Sequence, residues 1–312
     1  MHKIFYTLAE CIPIKVLRRR IKGLKIANYE HKEVAEYLNV HYVIPYFKGE
    51  LKRWEFKQKQ VLGTQNIIWQ LWFQGEEQAP KIVKACLDSV KKQMGNTHKI
   101  IVLDEKSIAD YIDFPPFVLE RLQKGIFSKT FFSDLLRVVL LATYGGVWLD
   151  ATIFLSARIP QEILEKEFFA FCRSQTPPQD YKQWINFDYC YFSWNANFKV
   201  KFSSSLMLAR QKQSLCCALL DCMLAYWQRE KELKHYFIFQ IFFELLVQNQ
   251  QFLHCRDTAF GDTAMHLLQF YAKNPYNAAL WDSIKEKSAV HKLTYFKNLP
   301  QNSMVDKVLQ GK

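Results

Sequence analysis

A carboxylate and a guanidinium stand three residues apart in a Ser-Asp-Leu-Leu-Arg segment at residues 133–137. Apart from Ser133, Asp134 and Arg137, residues 131–142 are all apolar, which predicts a helix that is buried on all sides. Asp134 and Arg137 share one face of that helix, and an unpaired buried ion would cost several kcal/mol. The two side chains therefore either form an internal ion pair that supports the helix or bind a ligand, and the spacing leaves both open.

Two glycines, Gly145 and Gly146, separate this helix from an apolar run at residues 147–155 that is typical of a core strand. They predict a left-handed exit from the helix and a close backbone approach. Alternate residues of a strand share a face, so Asp150 and Thr152 would present a carboxylate and a hydroxyl together. Ligands of open α/β sheets bind at the carboxyl ends of strands, which favours a binding site at Asp150.

Four segments in a fixed order resemble a known family. They are Ile-Ile-Trp-Gln-Leu-Trp-Phe-Gln-Gly at residues 67–75, the segment at 133–137, Gly-Gly-Val-Trp-Leu-Asp-Ala-Thr at 145–152, and a weaker His-Lys-Leu-Thr-Tyr at 291–295. Between about Asn66 and Tyr295 the chain resembles bacterial capsular polysaccharide synthesis proteins of the glycosyltransferase type. These are related to the DXD-containing sugar transferases, which include yeast Golgi mannosyltransferases and the large clostridial glucosylating toxins.

The resemblance implies a GT-A-type, Rossmann-like fold and a nucleotide-sugar donor. Trp72 matches the tryptophan that stacks on the uracil of a UDP-sugar, whereas we expect Trp69 in the core. Asp134 and Arg137 match positions that hold donor-sugar hydroxyls and the adjacent diphosphate region. Asp150 matches the first aspartate of the DXD motif, which contacts the ribose or the metal.

Further residues complete the predicted donor site. Gly145 and Gly146 would let the donor approach the backbone. His291 and Lys292 would close over the diphosphate, although a simple surface role fits them equally well. The resemblance thus implies that Asp150 and Arg137 are the catalytic residues.

The resemblance also implies a divalent cation, Mn²⁺ or Mg²⁺. The wider superfamily has a second aspartate at the position of Thr152, and a neutral hydroxyl is a weaker ligand than a carboxylate for a hard cation. The predicted metal ligands are therefore Asp150 and Thr152, with Asp262 as a further carboxylate. Asp262 follows Gly261, so a loop-capping role is the alternative for it.

Glycosyl transfer leaves negative charge on the departing nucleotide diphosphate, so a cation beside that group contributes more than an elaborate nucleophile would. Asp150 with its metal, assisted by Arg137, would fill that role. A glycosidase would instead need a second Asp or Glu across the scissile bond, which spacing alone does not reveal. The related transferases retain the anomeric configuration, so we expect retention.

The order of elements predicts an α/β fold with a mostly parallel sheet flanked by helices. The predicted strands and helices alternate along most of the chain. The strands are 66–73, 99–103, 147–155, 168–172 and 188–192, and the helices are 80–94, 104–112, 116–124, 131–142, 215–232 and 236–247.

Composition places the chain among soluble enzymes. Its 312 residues are 49% hydrophobic, enough to fill a sizeable core, and its eight cysteines have no CxxC spacing, which predicts reduced packing residues. The sequence contains neither a cleavable signal pattern nor an uncharged run of about 20 residues, which favours a cytoplasmic protein. We predict a basic, α-helical N-terminal extension at residues 1–62 and a glycosyltransferase domain at 63–312.

Residues 1–60 carry 13 basic and 6 acidic side chains, and hence +7 of the net charge of +12. Ile14, Leu17, Ile21 and Leu24 recur at helical spacing among basic residues, which is typical of a helix that lies on an anionic membrane surface. The alternative is a helix that packs its apolar stripe onto the catalytic domain. Nucleic-acid binding is disfavoured, because the charge lies in a terminal arm and the sequence contains no nucleic-acid module.

These observations predict a metal-assisted glycosyltransferase that moves a hexose from a UDP-sugar to a capsular or other surface polysaccharide, or to a lipid-linked glycan. Such an enzyme would be cytoplasmic or peripheral on the inner face of the cell membrane. The alternative is a catalytically silent glycan-binding or scaffold protein of a polysaccharide synthesis complex, which Thr152 motivates.

Overall fold

The computed structural model describes residues 15–62, 66–296 and 298–311. Strands and helices alternate along most of this part of the chain. The strands are β1 (Ile67–Leu71), β2 (Lys99–Leu103), β3 (Gly146–Leu149), β4 (Ile153–Leu155), β5 (Phe168–Cys172), β6 (Phe202–Ala209) and β7 (Val290–Lys292). The helices are α1 (Lys15–Lys25), α2 (His31–Leu38), α3 (Ile44–Phe47), α4 (Lys81–Met94), α5 (Pro116–Gln123), α6 (Lys129–Tyr144), α7 (Gln161–Leu164), α8 (Tyr181–Phe187), α9 (Ser214–Arg229), α10 (Ile238–Leu246), α11 (Asp262–Phe270), α12 (Ala278–Lys287) and α13 (Met304–Leu309).

The central sheet has the strand order β2-β1-β3-β6-β5. Strand β1 pairs in parallel with β2 and β3, whereas β6 is antiparallel to both β3 and β5. Four strands therefore point the same way and β6 points the opposite way. The predicted α/β class with a mostly parallel sheet flanked by helices is confirmed.

Helix α6 packs against β3 and β6 of this sheet. The Ser128 hydroxyl caps its N-terminus by accepting a hydrogen bond from the backbone N–H of Phe131 at 3.2 Å. Almost the whole helix is buried, including Asp134 and Arg137, as its apolar pattern predicts. It packs against α9, and the two helices bury aromatic residues such as Trp227 between them.

The glycine pair joins α6 to β3 where the backbone is crowded. Gly145 has a φ of 73°, and a Cβ atom there would lie 2.7 Å from the backbone N of Gln211. Gly146 has a φ of 105°, and its Cβ would lie 2.6 Å from the carbonyl O of Ile67. Only glycine fits both the positive φ and the space, so these residues let β3 enter the sheet.

Three of the predicted elements were wrong. Residues 147–155 were predicted as one strand but form two strands in different sheets. The chain leaves β3, turns at residues 150–152 and continues as β4, which pairs with β7. Residues 104–112 contain only a short 3₁₀ turn, and 188–192 are turns after α8. Strand β6 was not predicted, because its Ser203-Ser204-Ser205 run resembles a loop.

The described N-terminal segment is helical from Lys15 to Phe47, with π-helical turns at Ile26–Glu30 and Asn39–Val43, whereas residues 48–62 have no helix, so the predicted helical extension ends early. Its residues from Ala35 onward belong to the same hydrophobic core as α6 and α9. The hydroxyl groups of Tyr37 and Tyr42 donate to Glu230, and the backbone N–H of Trp54 donates to Asp221. The proposed boundary at residue 62 stays a prediction, and Ile14 lies outside the described residues.

The seven described cysteines are free, in line with the predicted packing role, and Cys11 lies outside the described residues. Across residues 15–62, 66–296 and 298–311, no helix is both long enough and apolar enough to cross a membrane.

Candidate active site

A cavity of about 590 Å³ lies at the carboxyl ends of β1 and β3. It brings together residues that the sequence places far apart. The predicted site residues in its lining are Trp72, Asp134, Arg137, Asp150, Thr152 and Lys292. The cavity therefore lies where the sequence analysis expected a binding site, beside Asp150 at the end of a central strand.

Arg137 joins two carboxylates at the floor of the cavity. Its Nη1 atom donates to Oδ1 of Asp134 at 2.6 Å, and its Nη2 atom donates to Oδ1 of Asp150 at 3.0 Å. The guanidinium also lies 4.9 Å from the ring centre of Trp148, whose indole N–H donates to Asp150 at 2.9 Å. Helix α6 and strand β3 thus fix the position of one cation between two anions.

The two carboxyl groups differ in acidity. Burial raises the pKa of Asp134 to about 6, although Arg137 offsets part of this effect. Burial would also raise the pKa of Asp150, but Lys292 and Arg137 outweigh it and hold that pKa well below its usual value. Asp150 is therefore a carboxylate at any physiological pH.

Lys292 contacts Asp150 from the other side. Its ammonium group donates to Oδ2 of Asp150 at 3.0 Å and to the hydroxyl of Thr152 at 2.7 Å. The shared contact with Lys292 shows that Asp150 and Thr152 lie together, but a turn brings them there and not the strand alternation that was predicted. Both side chains of the Asp150–Lys292 pair are about one-fifth exposed, at 23% and 22%, so a ligand can reach them.

Strand β7 holds Lys292 in place. Lys292 is paired with Ile153 of β4, and the backbone N–H of Leu293 donates to the carbonyl of Thr152 at 2.9 Å. His291 belongs to the same strand but is fully buried outside the cavity lining, with Nε2 2.8 Å from the Ser156 hydroxyl. His291, which was predicted to bind the donor, therefore helps to hold β7 in place. Of the two predicted residues, only Lys292 lines the cavity.

Trp72 lies in the cavity wall directly after β1, where its backbone N–H donates to the carbonyl of Leu103 at 2.9 Å. Its ring centre is 5.8 Å from that of Tyr295, which is 51% exposed. Trp69, by contrast, is fully buried and donates its indole N–H to the carbonyl of Gly145. The expected core position of Trp69 is confirmed.

Gly145 and Gly146 lie at the opposite end of β3 from Asp150, and neither belongs to the cavity lining. Four residues of extended strand separate the two ends, roughly 13 Å at the usual rise per residue. Their predicted role in donor binding thus has no support from their location, and the crowding around both residues accounts for glycine at these positions.

Asp262 also lies outside the lining of the cavity. It is fully buried, and its two carboxylate oxygens accept hydrogen bonds from Arg173 at 2.7 to 3.1 Å. Arg173 in turn donates to the carbonyl groups of Tyr191 and Ser193. Through Arg173, this ion pair holds the segment that contains Tyr191, which lines the cavity. Asp262 therefore supports the cavity wall and does not itself reach the cavity.

The residues near Asp150 do not fit a divalent cation that the protein itself would hold. Among the described residues, no group of three or more His, Cys, Asp or Glu side chains could bind a metal. Asp150 and Thr152 offer one carboxylate and one hydroxyl, whereas Mg²⁺ and Ca²⁺ sites are built mainly from carboxylate and carbonyl oxygens. The ammonium group of Lys292 already bridges these two side chains.

Several residues of the cavity were missed by the sequence analysis. Tyr236 lines the cavity and is 61% exposed, and Gln240 follows it on α10. His266 of α11 places Nδ1 2.7 Å from the carbonyl O of Asp262, so Nδ1 carries the proton and Nε2 holds the free electron pair. Burial lowers the pKa of His266 to about 4, which keeps the ring neutral. No motif marks these positions, because only the fold brings them to the cavity.

We compared the chain with family models, curated proteins and solved structures. A family model described as "Capsular polysaccharide synthesis protein" matches residues 20–310, a wider range than the sequence analysis expected. No curated protein matches this chain. A solved structure described as "PaToxG Glycosyltransferase" is 13% identical, with a TM-score of 0.38 over 88% of this chain and 95% of that chain.

Proposed function

The chain belongs to the capsular polysaccharide synthesis protein family, and on that premise we propose that it is a glycosyltransferase. It would transfer a hexose from a nucleotide diphosphate sugar, with UDP as the nucleotide, to a capsular or other surface-glycan acceptor, including a lipid-linked one. The observation that carries this proposal is the position of Asp150 between Arg137 and Lys292, at the end of a central strand and inside a cavity.

The cavity suits a donor of this kind in size and charge. Its volume of about 590 Å³ falls within the range of about 300–1,000 Å³ that is usual for small-molecule sites. Carboxylates such as Asp134 accept hydrogen bonds from sugar hydroxyls, and cationic groups attract a diphosphate. Both kinds of group line the same cavity.

The reaction needs a cation more than it needs a nucleophile. As the bond between the anomeric carbon and the diphosphate oxygen breaks, negative charge grows on that oxygen, and a cation held in place stabilises it. Arg137 and Lys292 are such cations, and Asp150 keeps both of them oriented. We propose that the anomeric configuration is retained, as in the related transferases.

Trp72 supplies the proposed contact with the base. It lies at the end of β1 in the cavity wall, and stacking of a nucleobase on an aromatic side chain contributes about 1 to 3 kcal/mol. The neighbouring ring of Tyr295 adds a second aromatic surface at the same end of the cavity.

The N-terminal helix α1 supports a proposal about where in the cell the protein acts. Leu17 and Leu24 of α1 are 44% and 49% exposed, so part of the apolar stripe is open in the described structure. A basic helix with exposed leucines is suited to an anionic membrane surface. We propose that the protein is cytoplasmic and binds the inner face of the membrane, close to a lipid-linked acceptor.

A second candidate is a glycan-binding or scaffold protein without catalytic activity. The observation that favours it is Thr152, a neutral side chain beside the carboxylate of Asp150. Both candidates predict carbohydrate binding, but only the enzyme releases the nucleotide diphosphate from a donor.

A panel of nucleotide sugars tests the proposal. Thermal unfolding of the full chain is measured with UDP-, GDP- and dTDP-hexoses, with EDTA or with Mn²⁺, and nucleotide release is then measured for each donor that stabilises the protein. We expect stabilisation and slow release with a UDP-hexose. Stabilisation without release supports a catalytically silent protein, and no stabilisation by any donor contradicts the enzyme.

A further inference from the structure

We propose that the ammonium group of Lys292 is the resident cation of the site, so that donor binding and transfer proceed without a divalent metal. This inference rests on the proposed function, because it names the group that stabilises the diphosphate of the nucleotide-sugar donor. It begins from the contacts of Lys292 with Asp150 and Thr152 at 3.0 and 2.7 Å.

Little space is left between Asp150 and Thr152. A Mg²⁺ ion held by these side chains would lie about 2.0 to 2.1 Å from their oxygens. The Lys292 ammonium group is hydrogen-bonded to the same two oxygens and occupies that space. A metal could enter only beside a second cation or after Lys292 had left.

The site also contains paired charges. Arg137 and Lys292 contribute two positive charges, and Asp134 and Asp150 contribute two negative charges when both are ionised. The site therefore already holds two cations, and both can attract the diphosphate without a metal.

Lys292 is also held rigidly. A useful cation must be in place before the reaction, because a side chain that has to be ordered loses part of its contribution. Strand β7 is paired with β4 directly after the Asp150 turn, and the buried His291 anchors β7 from its other face. Lys292 is therefore fixed by the fold and is not a mobile surface lysine.

In the transfer step, the bond between the anomeric carbon and the diphosphate oxygen breaks, and its electron pair stays on that oxygen. The acceptor hydroxyl oxygen forms the new bond to the anomeric carbon, and its proton passes to the departing diphosphate. Lys292 and Arg137 stabilise the charge on that group throughout. The products are the glycoside and the nucleoside diphosphate, and no redox partner is required.

Calorimetric titration of the full chain with UDP tests the inference. Wild-type protein should bind UDP with the same affinity, within about twofold, in EDTA and in Mn²⁺. Lys292→Gln should weaken UDP binding in EDTA by about 10-fold to 100-fold, the usual effect of a lost hydrogen bond to a charged group. Lys292→Arg should retain most of the affinity, because it keeps the charge. Lys285→Gln, on the exposed face of α12, is the matched control and should bind UDP like the wild type.

A double variant makes the test specific for a cation. Thr152→Asp combined with Lys292→Gln supplies a second carboxylate and removes the ammonium group, so UDP binding should become dependent on Mn²⁺. Wild-type affinity that rises tenfold or more with Mn²⁺ would overturn the inference and leave the proposed function standing. Unchanged UDP affinity of Lys292→Gln in EDTA would overturn it as well. If UDP and GDP fail to bind the wild type under either condition, the proposed function falls together with the inference.

Discussion

The Nη2 atom of Arg137 lies 3.0 Å from Oδ1 of Asp150, which links the buried helix α6 to the end of β3. The same guanidinium also forms the internal ion pair with Asp134 that the sequence allowed as a purely structural alternative. The internal ion pair is thus present, and ligand binding by these two side chains stays a prediction. Because Asp134 already orients the guanidinium, Arg137 is in place at Asp150 before a ligand arrives.

Trp72→Ala should weaken UDP binding by about 1 to 3 kcal/mol, or roughly 5-fold to 150-fold in affinity, because a stacking surface is lost. Trp69→Ala is the matched comparison, since that ring is fully buried. It should destabilise the protein by about 3–5 kcal/mol, measured by denaturant unfolding. Unchanged UDP affinity in folded Trp72→Ala protein would place the base elsewhere.

Gly145→Ala and Gly146→Ala should each destabilise the protein by about 2 kcal/mol or more, because both residues combine positive φ with a backbone contact below 3 Å. The folded fraction should still bind UDP with normal affinity. Gly261→Ala is the control, since its Cβ would make only an ordinary contact at 3.8 Å with Thr263. A stable Gly145→Ala protein that has lost UDP binding would instead support the donor-binding role.

His291 should make the protein sensitive to acid. Burial lowers the pKa of His291 from 6.5 to about 3. Between these values the unfolded chain carries a proton on this ring and the folded protein does not, so the free energy of unfolding falls as the pH falls. One such group contributes a slope of about 1.4 kcal/mol per pH unit. Denaturant unfolding between pH 4 and 7 measures the effect.

Two variants separate the His291 contribution from general acid sensitivity. His291→Leu should have a shallower dependence of stability on pH than the wild type. Ser156→Ala removes the hydroxyl that contacts Nε2 but keeps the imidazole, so it should retain most of the slope. Equal slopes for His291→Leu and the wild type would show that His291 does not titrate as proposed.

The N-terminal helix α1 should bind anionic membranes. Replacing Arg18, Arg19 and Arg20 with glutamate should release the protein from vesicles that contain anionic lipids, because each basic residue near the surface contributes about 1 kcal/mol. Nucleotide binding should be unaffected. Sedimentation with vesicles at low and high salt measures the interaction, which salt should weaken.

A control triple variant makes the membrane test specific. Lys81, Lys84 and Lys92 are exposed on α4, and their replacement with glutamate changes the net charge equally. This variant should still sediment with the vesicles. If wild-type protein stays in solution even at low salt, the helix has no membrane role and only packs onto the enzyme.

Much of the fold could be predicted because the local signals agreed with the tertiary structure. Strand β2 has its predicted bounds, and α4 and α6 begin and end within two residues of theirs, since apolar patterns, Pro80 and the Gly145 turn all point the same way. The split of residues 147–155 into β3 and β4 could not be predicted. Nothing in Asp-Ala-Thr marks a turn, and the pairing partner of β4 lies in β7, far along the chain.

The same limit applies to the site. Helical spacing was enough to place Asp134 and Arg137 on one face, whereas Asp150 was assigned to the same site through the family resemblance. The hydrogen bond between Lys292 and Asp150 joins residues 142 positions apart, and no local pattern reports that contact. Asp262 was predicted as a metal ligand because it is a carboxylate. Its ion pair with Arg173 forms only in the folded chain, so the sequence did not reveal it.

If this chain transfers a sugar from a nucleotide donor bound beside Asp150, the variant Asp150→Asn should lose that activity. UDP release from a panel of UDP-hexoses is measured for the wild type, for Asp150→Asn, and for Asp113→Asn as a control carboxylate on the surface. We predict release by the wild type and the control, and a loss of about 100-fold or more in Asp150→Asn protein that remains folded. Release by Asp150→Asn at the wild-type rate, with the donor at saturation, would contradict the account.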